Sequence, residues 1–103
     1  MSTLAKRIKE ARLSADLSQE QLGIRIGLEP ASASTRMNRY ELGKRVPDFE
    51  LVERLASELN LPAAYFYAVG DDEAAMLRMF HRLDQEHRNN MLETVRKLNN
   101  GAT

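Results

Sequence analysis

Residues 18–45 read SQEQLGIRIGLEPASASTRMNRYELGKR, and this stretch decides the fold of the 103-residue chain. Ser18 stands three residues before Gln21, which is the spacing of a capping box that satisfies free backbone amides at a helix start. Gly27 follows where a left-handed residue would end the helix. The spacing therefore predicts a short helix that begins at Gln19 and is followed by a turn.

A second helix and a basic loop follow this turn. The helix is predicted to start between residues 30 and 35, where Ser32 and Ser34 are both suitable caps, and to run to Leu42 before Gly43 stops it. Four cations face one carboxylate, Glu41, within ten residues: Arg36, Arg39, Lys44 and Arg45. A basic run alone is more often a solvated helix face, but a helix beside a basic loop matches a DNA major groove flanked by phosphates.

Charge is distributed unevenly along the chain. Lys and Arg total 15 and so do Asp and Glu, so the formal net charge is zero. Residues 1–45, however, carry nine basic against five acidic residues, or +4, whereas residues 46–103 carry six against ten, or −4. The basic first half favours an anionic partner such as nucleic acid, and the whole-chain sum conceals it.

Composition excludes several classes of function. The absence of cysteine rules out disulfides and thiolate sites. Charges interrupt every apolar cluster near the amino terminus, so we expect no signal peptide, no membrane span and a cytoplasmic protein. His81 and His87 are six residues apart and do not share a helix face, so no metal site is expected. Without a glycine-rich phosphate loop or a nucleophile–base set, we expect neither an enzyme nor a cofactor.

Helical periodicity continues outside residues 18–45, so the protein is predicted to be all-α. A first helix is expected from about Thr3 to about Ala15, with Arg7 largely off its apolar stripe. Asp48 is predicted to cap a fourth helix, and a short fifth helix is expected to run through Val69.

Residues 70–103 are predicted to form a helical tail separate from a domain over residues 1–69. Asp84 could cap a helix within this tail, which is therefore either two helices or one kinked helix. The tail has an apolar stripe that exceeds what its short length would add to a core: Met76, Phe80, Leu83, Met91, Val95 and Leu98. Either these residues fold back on the domain or they meet a second copy, and we expect a homodimer because two-fold dimers are the commonest oligomers.

Several residues of the first domain match a known pattern when their spacing is taken jointly. They are Ser18-Gln19 at a helix start, Gly23 between packed helices, Gly27 in the turn, Met37 as an apolar anchor, and the run Tyr40-Glu41-Leu42-Gly43-Lys44-Arg45. Over residues 3–68 the chain resembles the lambda Cro/repressor family, also called the XRE family. The resemblance implies a five-helix, helix-turn-helix domain whose third helix enters the major groove of double-stranded DNA.

The resemblance also implies roles for individual residues. The segment between Gly27 and Tyr40 is about four residues longer than the family pattern, and counting back from Tyr40 places the base-reading positions at Ser34, Thr35 and Arg39. The candidate DNA contacts are Gln19, Ser32, Ser34, Thr35, Arg36, Asn38, Arg39, Lys44 and Arg45. An arginine late in the first helix pairs with the glutamate of the third helix in such proteins, so Arg12 and Glu41 are expected to form a structural ion pair.

The sequence thus favours a transcriptional repressor of the Cro/C1 type that binds a pseudo-palindromic operator as a dimer. The alternative is a protein-interaction module, or a DNA-binding antitoxin, whose acidic second half binds a protein partner.

Overall fold

The structure is a computed structural model that describes residues 2–102, and all regular structure within that range is helical. The predicted all-α fold is therefore confirmed. The elements in chain order are α1 (Thr3–Ser14), α2 (Gln19–Arg25), α3 (Ala33–Glu41), α4 (Phe49–Glu58), a 3₁₀ helix (Ala63–Tyr67), α5 (Asp71–His81) and α6 (Gln85–Ala102). No helix in this range has the length and apolar character needed to cross a membrane.

Local capping chemistry sets where the helices begin. At α2 the Ser18 hydroxyl accepts from the Gln21 N–H at 3.0 Å and the Gln21 side chain accepts from the Ser18 N–H at 2.8 Å, which is the predicted capping box. The Asp48 carboxylate accepts from the Leu51 N–H at 2.9 Å and caps α4. Each of these bonds satisfies a backbone amide that the helix itself leaves without a partner.

The connection between α2 and α3 spans residues 26–32. Gly27 ends α2 with φ +93°, as expected of a left-handed glycine. The following residues form a turn in which the Ser32 N–H donates to the Glu29 carbonyl at 3.0 Å. Ser32 occupies the cap position of α3, but its hydroxyl makes no capping bond, and Ser34 lies inside the helix. The predicted serine cap is therefore not formed.

Helices α2 and α3 approach each other most closely at Gly23. A Cβ atom placed on Gly23 would lie 2.9 Å from the Ala33 Cβ, a separation that packed atoms essentially never adopt, and 3.2 Å from the Met37 Cγ, which is tighter than most such contacts. The core on which both helices rest draws on α1 to α4 and the 3₁₀ helix, and its fully buried apolar members are Ile8, Leu22, Ala33, Met37, Val52, Leu55 and Phe66. Glycine at this position therefore fixes the angle at which the helix pair presents α3.

Two predictions about the first domain are wrong, and one residue explains both. The fifth helix is a 3₁₀ helix that ends at Tyr67, and Val69 lies beyond it with 80% of its surface exposed. Arg7, predicted to lie largely off the apolar stripe, is fully buried and donates to the Ala68 and Val69 carbonyls at 3.0 and 3.2 Å. Because these carbonyls are satisfied by the guanidinium, the chain need not continue as a helix.

The tail consists of two helices that differ in their relation to the core. In α5, Ala74 is buried against the core, and Arg82, just past the end of this helix, donates to the carbonyls of Leu59 and Asn60, which follow α4. The Asp84 carboxylate accepts from the His87 N–H at 2.9 Å and caps α6, as the sequence indicates. All side chains described in α6 are exposed except Arg88, which is half-buried, so this helix stands clear of the core.

Replacing Gly23 with Ala should destabilise the protein, because its methyl group would overlap Ala33. We expect the free energy of unfolding to fall by about 1–3 kcal/mol, the usual cost of overpacking a filled core. Chemical denaturation followed by circular dichroism measures this loss. Gly101→Ala is the matched control, since nothing lies within 4 Å of its Cβ position. Equal stability of both variants would contradict the close approach.

Candidate nucleic-acid interface

Helix α3 presents one buried and one exposed face. Its buried face is formed by Ala33, Met37, Tyr40 and Glu41. The opposite face carries the polar side chains of Ser34, Thr35, Asn38 and Arg39, all of them exposed. These four residues lie within the helix, as the count back from Tyr40 requires, and residues 29–32 form the turn before it. The exposed face therefore offers hydroxyl, amide and guanidinium groups along a single helix.

A buried ion pair holds α3 against α1. The Arg12 guanidinium donates from Nε to Glu41 Oε2 at 2.7 Å and from Nη2 to Glu41 Oε1 at 2.9 Å, a bidentate pair. The Arg12 Nη1 also donates to the Leu17 carbonyl at 2.8 Å, in the connection between α1 and α2. Arg12 is 9% exposed and Glu41 3% exposed, so the pair is shielded from competing water. This contact fixes the depth and rotation of α3 relative to the first helix.

Gln19 completes the same polar cluster from α2. Its side-chain nitrogen donates to Asn38 Oδ1 at 3.2 Å and to Glu41 Oε1 at 3.3 Å. The side-chain amide of Gln19, one of the candidate DNA contacts, thus donates to two residues of α3 within the protein. The Asn38 side chain keeps its own amide donors on the exposed face.

The three cations at the end of α3 have no side-chain partner in the described chain. Arg39 lies in the last turn of α3, and Lys44 and Arg45 lie in the loop just after it. The backbone N–H groups of Lys44 and Arg45 both donate to the Arg39 carbonyl, at 3.0 and 3.3 Å, so the loop folds tightly against the end of the helix. Three positive charges are therefore concentrated at one end of the exposed face.

Arg36 does not share that face. Its Nη2 donates to the Tyr40 hydroxyl at 2.9 Å, and its guanidinium carbon lies 6.0 Å from the centre of the Tyr40 ring. The side chain is half-buried and lines a cleft of about 340 Å³ between α3 and α4, together with Arg45 and Arg54. Its Nε is buried without a hydrogen-bond partner among residues 2–102. Arg36 thus lies at the side of α3 that faces α4.

Ser32 is also placed differently from the other candidates. It is half-buried in the turn before α3, and its hydroxyl lies 3.5 Å from the Glu29 carbonyl oxygen.

Among residues 2–102, no three His, Asp or Glu side chains come close enough to hold a metal ion.

Arg7 and its partner Asp71 are structural polar residues that the sequence patterns did not single out. Arg7 is three residues after Leu4 and four before Ala11, so it lies beside the apolar stripe of α1 and could have been recognised as an inward-facing arginine. Its partner was not foreseeable, because Asp71 lies more than sixty residues away in the chain.

A short helix, a glycine turn and a second helix with a polar exposed face define a helix-turn-helix protein. The family model described as a helix-turn-helix domain matches residues 3–65, and the chain belongs to this family. Among solved structures, the chain is similar to that titled "Crystal structure of transcriptional regulator BswR", with 34% sequence identity and a TM-score of 0.85. The similarity covers 90% of this chain and 92% of that chain, so it includes the tail. No curated protein sequence matches the chain.

Removing one partner of the Arg12–Glu41 pair should destabilise the protein more than replacing both partners with apolar residues. Glu41→Gln leaves the Arg12 charge buried without its counter-ion, so we expect the free energy of unfolding to fall by about 3–5 kcal/mol. The double variant Arg12→Met, Glu41→Leu should lose less than the single variant, because no buried charge remains.

Urea denaturation of these variants measures the effect. Glu50→Gln is the matched control, since Glu50 pairs with Arg54 at 3.0 Å on the surface, and its loss should be within about 0.5 kcal/mol. A Glu41→Gln variant as stable as this control would refute a structural role for the buried pair.

Proposed function

We propose that this protein is a transcriptional regulator that binds double-stranded DNA by inserting α3 into the major groove. The observation that carries the proposal is the exposed face of α3, which ends in three cations that no acidic side chain in the described chain neutralises. A helix of this diameter fits the major groove, where base edges present distinct patterns of donors and acceptors. The similarity to BswR, titled a transcriptional regulator, supports the same function.

The polar groups divide by the kind of contact they can make. Arg39 lies on the exposed face with Thr35 and Asn38, so its planar fork is suited to the O6 and N7 acceptors of a guanine. Lys44 and Arg45 lie outside the helix, where a charged side chain reaches the phosphates that border the groove. Ser34 can donate from the same face to either class of acceptor.

We assign a supporting role to the remaining candidates. Gln19 and Asn38 link the start of α2 to α3, so Gln19 positions the reading helix in addition to any phosphate it contacts. Arg36 lies beside α4, where it is suited to a phosphate at the groove edge and not to a base. Ser32 shapes the turn that precedes α3. We also propose that the protein is a regulator of the Cro/repressor type and that it represses transcription by occupying its operator.

A homodimer formed through the tail is part of the proposal. Helices α5 and α6 enclose an apolar groove lined by Met76, Leu77, Phe80, Met91, Leu92 and Val95. Met76 is 45% exposed and Leu98 68% exposed, so the apolar stripe is open to solvent, as is common at protein–protein interfaces. Phe80 is half-buried in the groove wall, and Leu83 is half-buried in the connection between α5 and α6. A second copy presents the same stripe, and two copies would read two half-sites of a pseudo-palindrome.

The proposed base contact predicts a sequence-dependent loss of affinity. Arg39→Ala should cost about 1–3 kcal/mol on the selected operator and relax the preference at one base pair per half-site. Lys44→Ala and Arg45→Ala should instead weaken binding equally on all sequences, and each should lower the salt slope by about one. The operator is obtained first by selection from random duplex DNA.

Fluorescence anisotropy titrations at several salt concentrations separate these outcomes. Lys97→Ala, which removes an exposed charge from α6, is the control and should change neither quantity. An unchanged slope in the loop variants would contradict phosphate contacts, and a wild-type protein without affinity for duplex DNA would refute the proposed function.

The proposed dimer predicts a change of mass in solution. Val95→Glu places a charge on the apolar stripe of α6 and should convert a dimer into a monomer at micromolar concentration, because an unpaired charge is costly to bury. Asn90→Glu adds the same charge on another face of α6 and should remain dimeric. Sedimentation velocity distinguishes the two. A monomeric wild-type protein would contradict the homodimer and favour a different protein partner for this groove.

A further inference from the structure

Helix α1 makes polar contacts with two distant parts of the molecule. Near its carboxyl end Arg12 binds Glu41 of the proposed reading helix, as described above. Near its amino end Arg7 and Lys6 contact Asp71, the first residue of α5. A single twelve-residue helix therefore connects the element that faces DNA with the element that begins the tail.

The junction between α1 and α5 is built around the buried guanidinium of Arg7. Besides the Ala68 and Val69 carbonyls, it contacts Glu10 at 2.8 Å and Asp71 at 3.1 Å, and it lies 5.9 Å from the centre of the Tyr65 ring. Lys6 contacts the same Asp71 oxygen at 3.0 Å. Every donor nitrogen of Arg7 thus has an acceptor. Two of the acceptors are the carbonyls of Ala68 and Val69, so Arg7 fixes the chain just before α5 begins.

Charge strengthens this junction at neutral pH. The hydrogen bonds from Lys6 and from Arg7 hold the pKa of the Asp71 carboxyl below its usual value. The Asp71 carboxylate is therefore ionised at neutral pH, and its contacts with Lys6 and Arg7 are between opposite charges.

Helix α5 is held at both ends. Asp71 contacts α1 at its start, Ala74 fills the core one turn later, and Arg82 at its end donates to the carbonyls of the two residues that follow α4. Contacts at both ends restrict how far α5 can swing relative to α1 and α4. We therefore treat α5 as an arm, and α6 with its exposed apolar stripe follows it after residues 82–84.

We propose that the Arg7–Asp71 junction sets the half-site spacing that the dimer accepts, which makes these two positioning residues for DNA recognition. The inference rests on the proposed homodimer. If the tails pair, the distance and rotation between the two α3 helices depend on the angle of each arm relative to its own α3. Half-sites one helical turn apart are separated by about 34 Å, and one added base pair turns the second site by roughly 36°. A rigid arm tolerates little of that rotation, whereas a loose arm follows it.

The test compares operators that differ only in spacing. After selection of the operator, one or two base pairs are inserted or removed between its half-sites, and affinity is measured for each spacing and for an isolated half-site. Asp71→Ala removes the exposed partner of the junction, and Arg7→Met removes the buried one. Asp72→Ala is the matched control, because this neighbouring carboxylate accepts from the Glu73 N–H of its own helix and forms no ion pair with α1. Since Asp72 also lines the apolar groove between α5 and α6, the dimer mass of this variant is measured as well.

We expect the wild-type protein to prefer one spacing, and Asp71→Ala to reduce that preference by at least about threefold, since binding to the second half-site is effectively intramolecular. Its dimer mass and its affinity for the isolated half-site should not change, and Asp72→Ala should behave as the wild-type protein. Asp71→Ala decides the outcome if Arg7→Met fails to fold. A wild-type dimer whose spacing preference survives in Asp71→Ala, or falls equally in Asp72→Ala, overturns this inference alone. A wild-type monomer, or one that does not bind DNA, overturns the proposed function with it.

A second measurement needs no DNA. The chain has no cysteine, so nitroxide labels at Glu20→Cys in α2 and Lys97→Cys in α6 report one distance within each chain when labelled protein is diluted into unlabelled protein. The distance distribution should broaden in Asp71→Ala and remain narrow in Asp72→Ala. Equal distributions in the two variants overturn the inference.

Discussion

The bidentate contact between Arg12 and Glu41 is the interaction on which the rest of the structure depends. It joins α1 to α3, its arginine holds the Leu17 carbonyl before α2, and its glutamate accepts from Gln19 at the start of α2. One buried carboxylate thus receives donors from two helices and orders a third. This arrangement also keeps the surface around α3 basic. Because Glu41 points inward, the outward cations have no acidic neighbour in the described chain.

Local chemistry made much of the fold predictable from sequence. The capping box at Ser18, the left-handed Gly27 and the carboxylate caps at Asp48 and Asp84 depend on residues no more than a few positions apart. Features that depend on distant partners were not predictable. The spacing of Arg7 from Leu4 and Ala11 could indicate that it faces inward, but nothing in α1 specifies that its acceptors are the carbonyls of residues 68 and 69.

The same distinction applies to the candidate site. The sequence placed Thr35, Asn38 and Arg39 on one helix, and helical geometry alone puts them on a common exposed face. The direction of Arg36 could be read only in part from spacing, because Tyr40 lies four residues later on the same helix but the position of α4 depends on the tertiary fold. The inward bonds of Gln19 were likewise hidden, because a glutamine in a first helical turn has the same local sequence whether it faces solvent or a neighbouring helix.

The exposure of α6 has a consequence for how proteins of this kind diverge. Because nearly all of its side chains stand clear of the core, substitutions on its apolar stripe leave the packing of α1 to α4 undisturbed. In the proposed dimer, pairing preference and base preference would therefore depend on separate sets of residues. A duplicated gene could acquire a tail that rejects its sister protein while α3 stays unchanged, through mismatched shapes or charges on a single helix face. Several such regulators could then operate in one cell without forming mixed pairs.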